Sequence, residues 1–353
     1  MSEQRVDYIV VGQGLAGTAL SKILIKNGKK IALIDQETEK TSSKVAAGLY
    51  NPVTGRKLVR TWKADKLFPF MIQFYQGLEK SEGSDFMVDL PIYRPFLSIE
   101  QQNEWMAKSA AEEYALFVRK NYAHSKYDQV MNDFGGVELA HSGYLNVPKY
   151  LKVLRSSFEK LDVLMSTNFD FSLLNIYNDK VVYQHLEASK IIFCEGPRAV
   201  ENPFFNWLPF RCVKGEVLDL KSELEIDNIV NRGVFVIPKE KGLFKVGSNY
   251  DNNDMSWHAT HKARKEIVGK LEQLVTCRYN IVSQKAGIRP ATKDRKPFIG
   301  LHPKFETVGI FNGLGAKGVS LAPYFAQQFY NYLEHDEQLD TEVNISRYFS
   351  LYS

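Results

Sequence analysis

The sequence predicts a protein of the α/β class, with a helix-covered parallel sheet joined to a second, β-rich domain. Three observations predict it. Near the N-terminus an apolar run passes through a glycine-rich turn into a helical pattern and then a second apolar run. A similar strand, glycine loop and helix recurs near residue 310. Between them, residues 213–246 hold alternating strand-like runs punctuated by Gly215, Gly233 and Gly242. The 353 residues suggest two domains at roughly 150 residues each. A 44% hydrophobic content offers enough apolar surface to offset ordering entropy, which excludes disorder across most of the chain. A formal charge of +4 falls far short of a dedicated nucleic-acid binder.

The first element is a strand over residues 6–11. Six residues cannot span a bilayer, and no later stretch reaches the roughly 18 apolar residues required. Cys194, Cys212 and Cys277 are odd in number and far apart, so neither a disulfide framework nor a zinc cluster is expected. Isolated thiols fit a reducing compartment, and the cytoplasm is the expected location.

Asp7-Tyr-Ile-Val-Val-Gly12-Gln-Gly14-Leu-Ala-Gly17 carries the most information. Gly12, Gly14 and Gly17 form G-x-G-x-x-G directly after the strand. Ala19, Leu20, Ile23 and Leu24 then recur at helical spacing, and Asn27-Gly28 supplies a stop. A second strand over 31–34 ends at Asp35, 23 residues after Gly12 and near the roughly 20 expected of a dinucleotide site. Gly12 makes the sharp turn, Gly14 admits a pyrophosphate close to the backbone, and Gly17 allows helix and strand to pack closely. The helix N-terminus adds unpaired N–H groups and a favourable dipole. Asp35 would accept from ribose hydroxyls and repel a 2′-phosphate, which disfavours NADP. The motif alone does not separate FAD from NAD.

The segment after Asp35, Thr41-Ser-Ser-Lys44-Val-Ala46-Ala47-Gly48-Leu49, is a run of small residues of the kind a stretched dinucleotide with a bulky ring needs. A helix is expected after Tyr144-Leu-Asn-Val-Pro148, β-rich structure over 163–193, and a helix over 101–122. Near the C-terminus come Lys285-Ala-Gly-Ile-Arg289-Pro290-Ala-Thr292-Lys-Asp294, a strand over 308–311, and Asn312-Gly313-Leu-Gly315-Ala-Lys317-Gly318. Val319, Ala322, Phe325, Phe329 and Leu333 then mark a helix with Pro323 early in it, where it is best tolerated. This second strand–glycine loop–helix junction is a natural anion or carbonyl site, or else a flexible surface loop.

These blocks, with Ile191-Ile-Phe-Cys-Glu-Gly196, resemble the FAD-dependent D-amino-acid-oxidase-like superfamily. Within it the chain is similar to glycine oxidases and to the FAD domain of the bifunctional tRNA wobble-uridine modification enzyme. The resemblance implies a Rossmann-like FAD-binding domain of the glutathione-reductase type with a β-rich substrate domain. It places residues 1–80, 142–206 and 285–353 in the first and 81–141 and 207–284 in the second. It also implies cofactor contacts. Gly12, Gly14, Leu15, Ala16 and Gly17 would cover the pyrophosphate, and Asp35 and Gln36 would hold the adenosine ribose. Ser43, Ala47, Gly48 and Leu49 would follow the ribityl chain and ring. Gly196 would close the adenosine side, with Phe169 near the adenine. Gly313, Gly315, Ala316, Lys317 and Gly318 would face the N1–C2 carbonyl end of the flavin. The FAD is expected to be non-covalent, since no cysteine lies in 287–318 and no histidine in 35–49.

The resemblance gives Arg289 the substrate carboxylate, which a guanidinium grips bidentately; the alternative is an arginine paired with an acid of the fold. Phe235 stands where glycine oxidases can carry a substrate-facing Tyr, so a larger or more apolar substrate than glycine is expected. Tyr250 could supply a hydroxyl instead, or simply pack. Lys317 either tunes the flavin or points at solvent. Arg56, Lys57, Arg60, Lys63 and Lys66 around Trp62 fit an anionic contact or a solvated basic face. Lys214-Gly215-Glu216 reads as a turn or bulge, and His258 and His261 as neighbours on a helix face that complete no metal pattern. The expected activity is oxidation of the C–N bond of an amino acid or N-substituted glycine, with dioxygen as acceptor. The alternative is removal of a carboxymethyl group from a tRNA wobble uridine, which would make tRNA a partner; no membrane partner is expected.

Overall fold

A computed structural model describes residues 4–38, 41–55 and 57–352. Its first sheet has a parallel centre. Leu164–Met165, Ile31–Ile34, Gln4–Val11, Leu186–Phe193 and Val308–Asn312 lie side by side in that order, all parallel. Both faces are covered, so Ile31–Ile34 and Val308–Asn312 are buried at every position, as parallel strands require. Phe298–Leu301 adds an antiparallel edge, and Leu174–Ile176 and Val181–Tyr183 form a hairpin on the early half of Leu186–Phe193.

The helices Leu15–Lys26 and Gly318–His335 pack together on one face of this sheet, beside Ala64–Glu82. In Ala64–Glu82 the spacing of Leu67, Phe68, Met71, Tyr75 and Leu78 makes a continuous buried stripe. Val147–Lys160 starts where expected, with Asn146 capping the N–H of Lys149 and Pro148 in the first turn.

The second sheet has eight strands. Their order is Tyr279–Arg289, Val213–Ser222, Leu243–Gly247, Val234–Pro238, Ile229–Arg232, Ile92–Pro95, Gly136–Leu139 and Val118–Tyr122. All neighbours are antiparallel except Ile229–Arg232 with Ile92–Pro95. Its two faces differ. Leu218, Leu220, Val234, Val236, Phe244 and Val246 pack with the helix His261–Glu272, while Phe235 and Ile237 turn toward the core under the first sheet.

Four expectations need correction. The helix over 101–122 is Ile99–Ser109 with a short turn at Glu112–Ala115, because Val118–Tyr122 is taken by pairing with Gly136–Leu139. The boundary at 285 falls inside the strand Tyr279–Arg289, which belongs wholly to the second sheet. His258 and His261 do not share a helix face, since Thr260 caps a helix that begins at His261.

The fourth concerns Lys214-Gly215-Glu216, which is regular strand paired throughout with Tyr279–Arg289, and at Lys214 also with Asp251 on the other side, rather than a turn or bulge. Lys214 and Glu216 point to the helix-bearing face with side chains 1% exposed. The Lys214 ammonium donates to Asp254 Oδ2 (2.5 Å), Ser256 Oγ (3.1 Å) and the His258 carbonyl (2.6 Å). Glu216 accepts from the Thr260 N–H and hydroxyl and from Gln284. The network ties the loop of residues 248–260 to the sheet. Replacing Lys214 with Met would leave the buried Glu216 carboxylate without the cation 3.8 Å away, at a cost of about 3 kcal/mol. The expected result for Lys214→Met is a matching fall in the denaturant-unfolding free energy; an unchanged value would mean the network carries no stability.

Candidate active site

Gly12 has φ +101°, and a Cβ there would lie 2.7 Å from the Cys194 carbonyl oxygen. A Cβ on Gly17 would fall 1.8 Å from the Gly12 carbonyl oxygen, so the helix Leu15–Lys26 approaches the strand as closely as the motif requires. That helix begins at Gly14 without a side-chain cap, which leaves its first N–H groups facing outward for an anion. Gly14 lies against Ser43 Oγ, with its Cβ position 3.4 Å away. The small-residue segment therefore crosses the mouth of the fingerprint.

Asp35 ends its strand as expected and is held in place. Its Oδ1 accepts from the Gln13 N–H (2.8 Å), and its Oδ2 from Arg155 (3.0 Å). Arg155 also donates to Gln13 Oε1, the Asp35 carbonyl and Ser166 Oγ. Arg155 and Gln13 were not found from the sequence, because Arg155 belongs to a helix that reads only as amphipathic. Gln36 beside them is exposed. Phe169 is stacked on Tyr183 (4.5 Å) and set edge-on to Phe171 and Phe193, so aromatic packing in the second core accounts for it.

The two glycine loops meet. The Gly196 carbonyl accepts from Asn312 (2.9 Å), and Asn312 Oδ1 accepts from the Gly313 N–H. Gly318, the first residue of its helix, lies against Leu15, with its Cβ position 2.9 Å from Leu15 Cδ1. The loop turns through positive φ at Gly313 and Gly315, Ala316 is exposed, and Lys317 heads the helix without a side-chain cap. The Lys317 side chain is exposed, yet its ammonium is held below the usual lysine range by partial desolvation and by Lys296 and Arg295 nearby. A pair of uncapped helix N-termini, with Asp35 beside one and Lys317 on the other, fits a two-headed phosphate-bearing cofactor. Gly48 (φ +71°) presses on the Leu145 carbonyl and directs Leu49 into a small sheet beside Tyr144.

Arg289 lies at the end of its strand, on the face of the second sheet that carries Phe235. Its guanidinium lies over Gly215, where any Cβ would come within 2.1 Å of it. It donates to Ser248 Oγ (2.8 Å) and to the carbonyls of Lys214 (3.3 Å) and Asn249 (3.3 Å). Tyr250 is 65% exposed, and its ring covers the guanidinium at 4.4 Å, so it is neither core nor detached surface. Among the described residues no carboxylate pairs with Arg289; its acceptors are neutral. Burial pushes its proton affinity down from the ordinary arginine value. Phe235 faces the same side, its ring 2.8 Å from the Cβ position of Gly247. Gly215, Ser248 and Asn249 escaped the sequence reading; the glycine opposite an arginine strand was the one available signal.

The basic stretch divides. Lys63 pairs with Asp340, Trp62 stacks on Phe325 (5.5 Å) and donates to Glu342, and Lys57, Arg60 and Lys66 are exposed. Arg56 lies outside the described residues. No described helix is long and apolar enough to cross a membrane.

The family model for FAD dependent oxidoreductases matches residues 7–330. The tRNA 5-methylaminomethyl-2-thiouridine biosynthesis bifunctional protein MnmC of Campylobacter concisus is 22% identical over 355 residues, covering 95% of this chain; the chain spans 54% of that protein. Glycine oxidase of Bacillus subtilis is 23% identical over 354 residues, covering 91% of both. The glycine oxidase structure from Geobacillus kaustophilus superposes with a TM-score of 0.78 at 16% identity, covering 98% of each chain, and shows the same fold. With both glycine loops and the strands between them inside the matched region, the chain belongs to the FAD dependent oxidoreductase family and is an FAD-dependent oxidoreductase.

Proposed function

We propose that this protein oxidises the C–N bond of an amino acid or N-substituted glycine, with dioxygen as the final acceptor. The observation that carries the reading is Arg289, a half-buried cation whose partners are all neutral. Bound FAD, held non-covalently, would supply the hydride acceptor.

The chain's own residues then have these roles. Gly12, Gly14, Leu15, Ala16 and Gly17 present backbone N–H groups to the pyrophosphate. Asp35, steadied by Arg155 and Gln13, accepts from the ribose hydroxyls, with Gln36 beside it. Ser43, Ala47, Gly48 and Leu49 line the ribityl and ring portion. Gly313, Gly315, Ala316, Lys317 and Gly318 offer donors and a cation at the carbonyl end of the ring, with Gly196 closing the loop behind them. Arg289 receives the substrate carboxylate and fixes the α-carbon over the ring. Ser248 and the Asn249 carbonyl orient the guanidinium without neutralising it, and Tyr250 shields its outer face. Phe235 gives an apolar wall without a hydroxyl, which favours a substrate bulkier than glycine.

The test is anaerobic mixing of the flavoprotein with D-amino acids, L-amino acids and N-alkyl glycines. Bleaching of the flavin by at least one class is expected, and reoxidation in air should yield hydrogen peroxide. If none bleaches it, the reading fails. With the active substrate, Arg289→Ala should lower kcat/KM roughly 10- to 150-fold, the value of one or two charge-assisted hydrogen bonds, while FAD is retained. Gly215→Ala should do the same by displacing the guanidinium; wild-type kinetics in either variant would remove Arg289 from the site.

The likeness to MnmC favours a second reading, oxidative removal of a carboxymethyl group from a tRNA wobble uridine. It needs a docking surface, and of the basic stretch Lys57, Arg60 and Lys66 are exposed. A salt-sensitive tRNA gel shift that disappears when Arg56, Lys57 and Arg60 become Ala would favour it. The expected result is no shift at low salt.

A further inference from the structure

The strand register assigns further charged residues to the face that carries Arg289. Gly215 pairs with Gly287, Val217 with Lys285 and Gly247, and Asp219 with Lys245 and Ser283; Phe235 and Ile237 pair with Gly247 and Lys245. Residues two apart on a strand share a face. Contacts bear this out: Lys245 approaches Asp219 at 3.7 Å, and Ser283 donates to the same carboxylate at 2.5 Å. Lys239 continues the Phe235–Ile237 series, and its ammonium lies 3.2 Å above the centre of the Tyr144 ring. Tyr144 is paired directly to Leu49, a residue proposed above to line the flavin.

Among the described residues Asp219 is the acid that the strand register sets on this face with Lys245 and Lys285, and Glu240 lies near Tyr144 at its edge. No described carboxylate lies within ion-pair distance of Lys239. Burial, reinforced by Lys245, pushes its ammonium down to about 7. A half-buried cation without a counter-ion costs stability, and a bound anion would offset that cost at Lys239. Among the described residues Lys245 has only Asp219, at 3.7 Å, and Lys285 is exposed on the same face. The opposite face of the same sheet makes the contrast, for there Lys214 is paired with Asp254 and Glu216 and donates to the His258 carbonyl. The rows lie roughly 6.6 Å apart, so the lysines begin one row beyond Gly215 and lead away from Arg289.

We propose that Lys239, Lys245 and Lys285 form a second anion subsite, so that the substrate is an elongated amine with the α-carboxylate on Arg289 and a second acidic group, carboxylate or phosphate, on the lysines. This rests on the amine-oxidation reading.

The experiment uses the flavoprotein and amine substrates in matched sets whose side chains end in a carboxylate, a phosphate or a neutral amide. For the wild type, kcat/KM for at least one acidic member should exceed that of its amide roughly tenfold or more, as a charge-assisted contact would give. The better of the two acids identifies the group. In the double variant Lys239→Met, Lys245→Met that ratio should fall toward 1, with the flavin spectrum and melting temperature reporting that the fold is intact. Equal values for acid and amide in the wild type, or a ratio that survives the double substitution, would overturn the subsite. If no amine reduces the flavin, the amine-oxidation reading fails separately. The subsite is then judged by perturbation of the flavin absorbance with an unreactive five-carbon dicarboxylate against the matching monocarboxylate. Tighter binding of the dicarboxylate that is lost in the double variant supports it, and no difference overturns it.

Discussion

A cation withdrawn from water and denied a counter-ion sets the terms for the rest of this molecule. Taking an ion from water costs several kcal/mol even after relaxation. The fold returns part of that to Arg289 through the Ser248 hydroxyl and the carbonyls of Lys214 and Asn249. A glutamate in their place would return more and would discharge the guanidinium. Neutral acceptors fix its plane and leave its charge available, which is what recognition of a carboxylate in a low-dielectric site requires.

That arrangement depends on a single strand whose alternate residues do opposite things. Lys214 and Glu216 face the helix His261–Glu272 and close a network in which each charge has partners. Gly215, between them, faces the other way and provides the space in which the arginine lies. The network secures the loop that brings Ser248, Asn249 and Tyr250 over the guanidinium, so the stability of one face supports the unneutralised charge of the other. A one-residue slip of this strand would turn the glycine to the helix-bearing face and put a side chain where the guanidinium lies.

The parts legible in the sequence are those whose physical requirements are local. Gly12, Gly14, Gly17 and Asp35 answer to one βαβ unit, and the helix Gly318–His335 shows in its own periodicity. What was not legible depends on partners distant in the chain. Arg155 reaches Asp35 across 120 positions, and Asn249 meets Arg289 across 40. Val118–Tyr122 reads as the end of a helix until Gly136–Leu139 offers it a ladder. Lys-Gly-Glu reads as a turn because glycine between two charges is turn-like, and only the arginine opposite explains it.

The crib proposed for the cofactor has the same non-local character, with a thermodynamic consequence. Its walls come from residues 12–17, 35, 155, 196 and 313–318, joined by the Asn312–Gly196 hydrogen bond and the Gly318–Leu15 contact. No contiguous stretch of the unfolded chain contains more than a fragment of it. A flavin nucleotide that binds this crib therefore has little affinity for the unfolded chain, and its binding free energy adds to the stability of the native state. The uncapped helix N-termini and the unneutralised Arg289 are costs the fold bears alone; on the proposed reading, occupancy by cofactor and substrate would offset them, so the features that weaken the empty fold would be the ones that give it affinity.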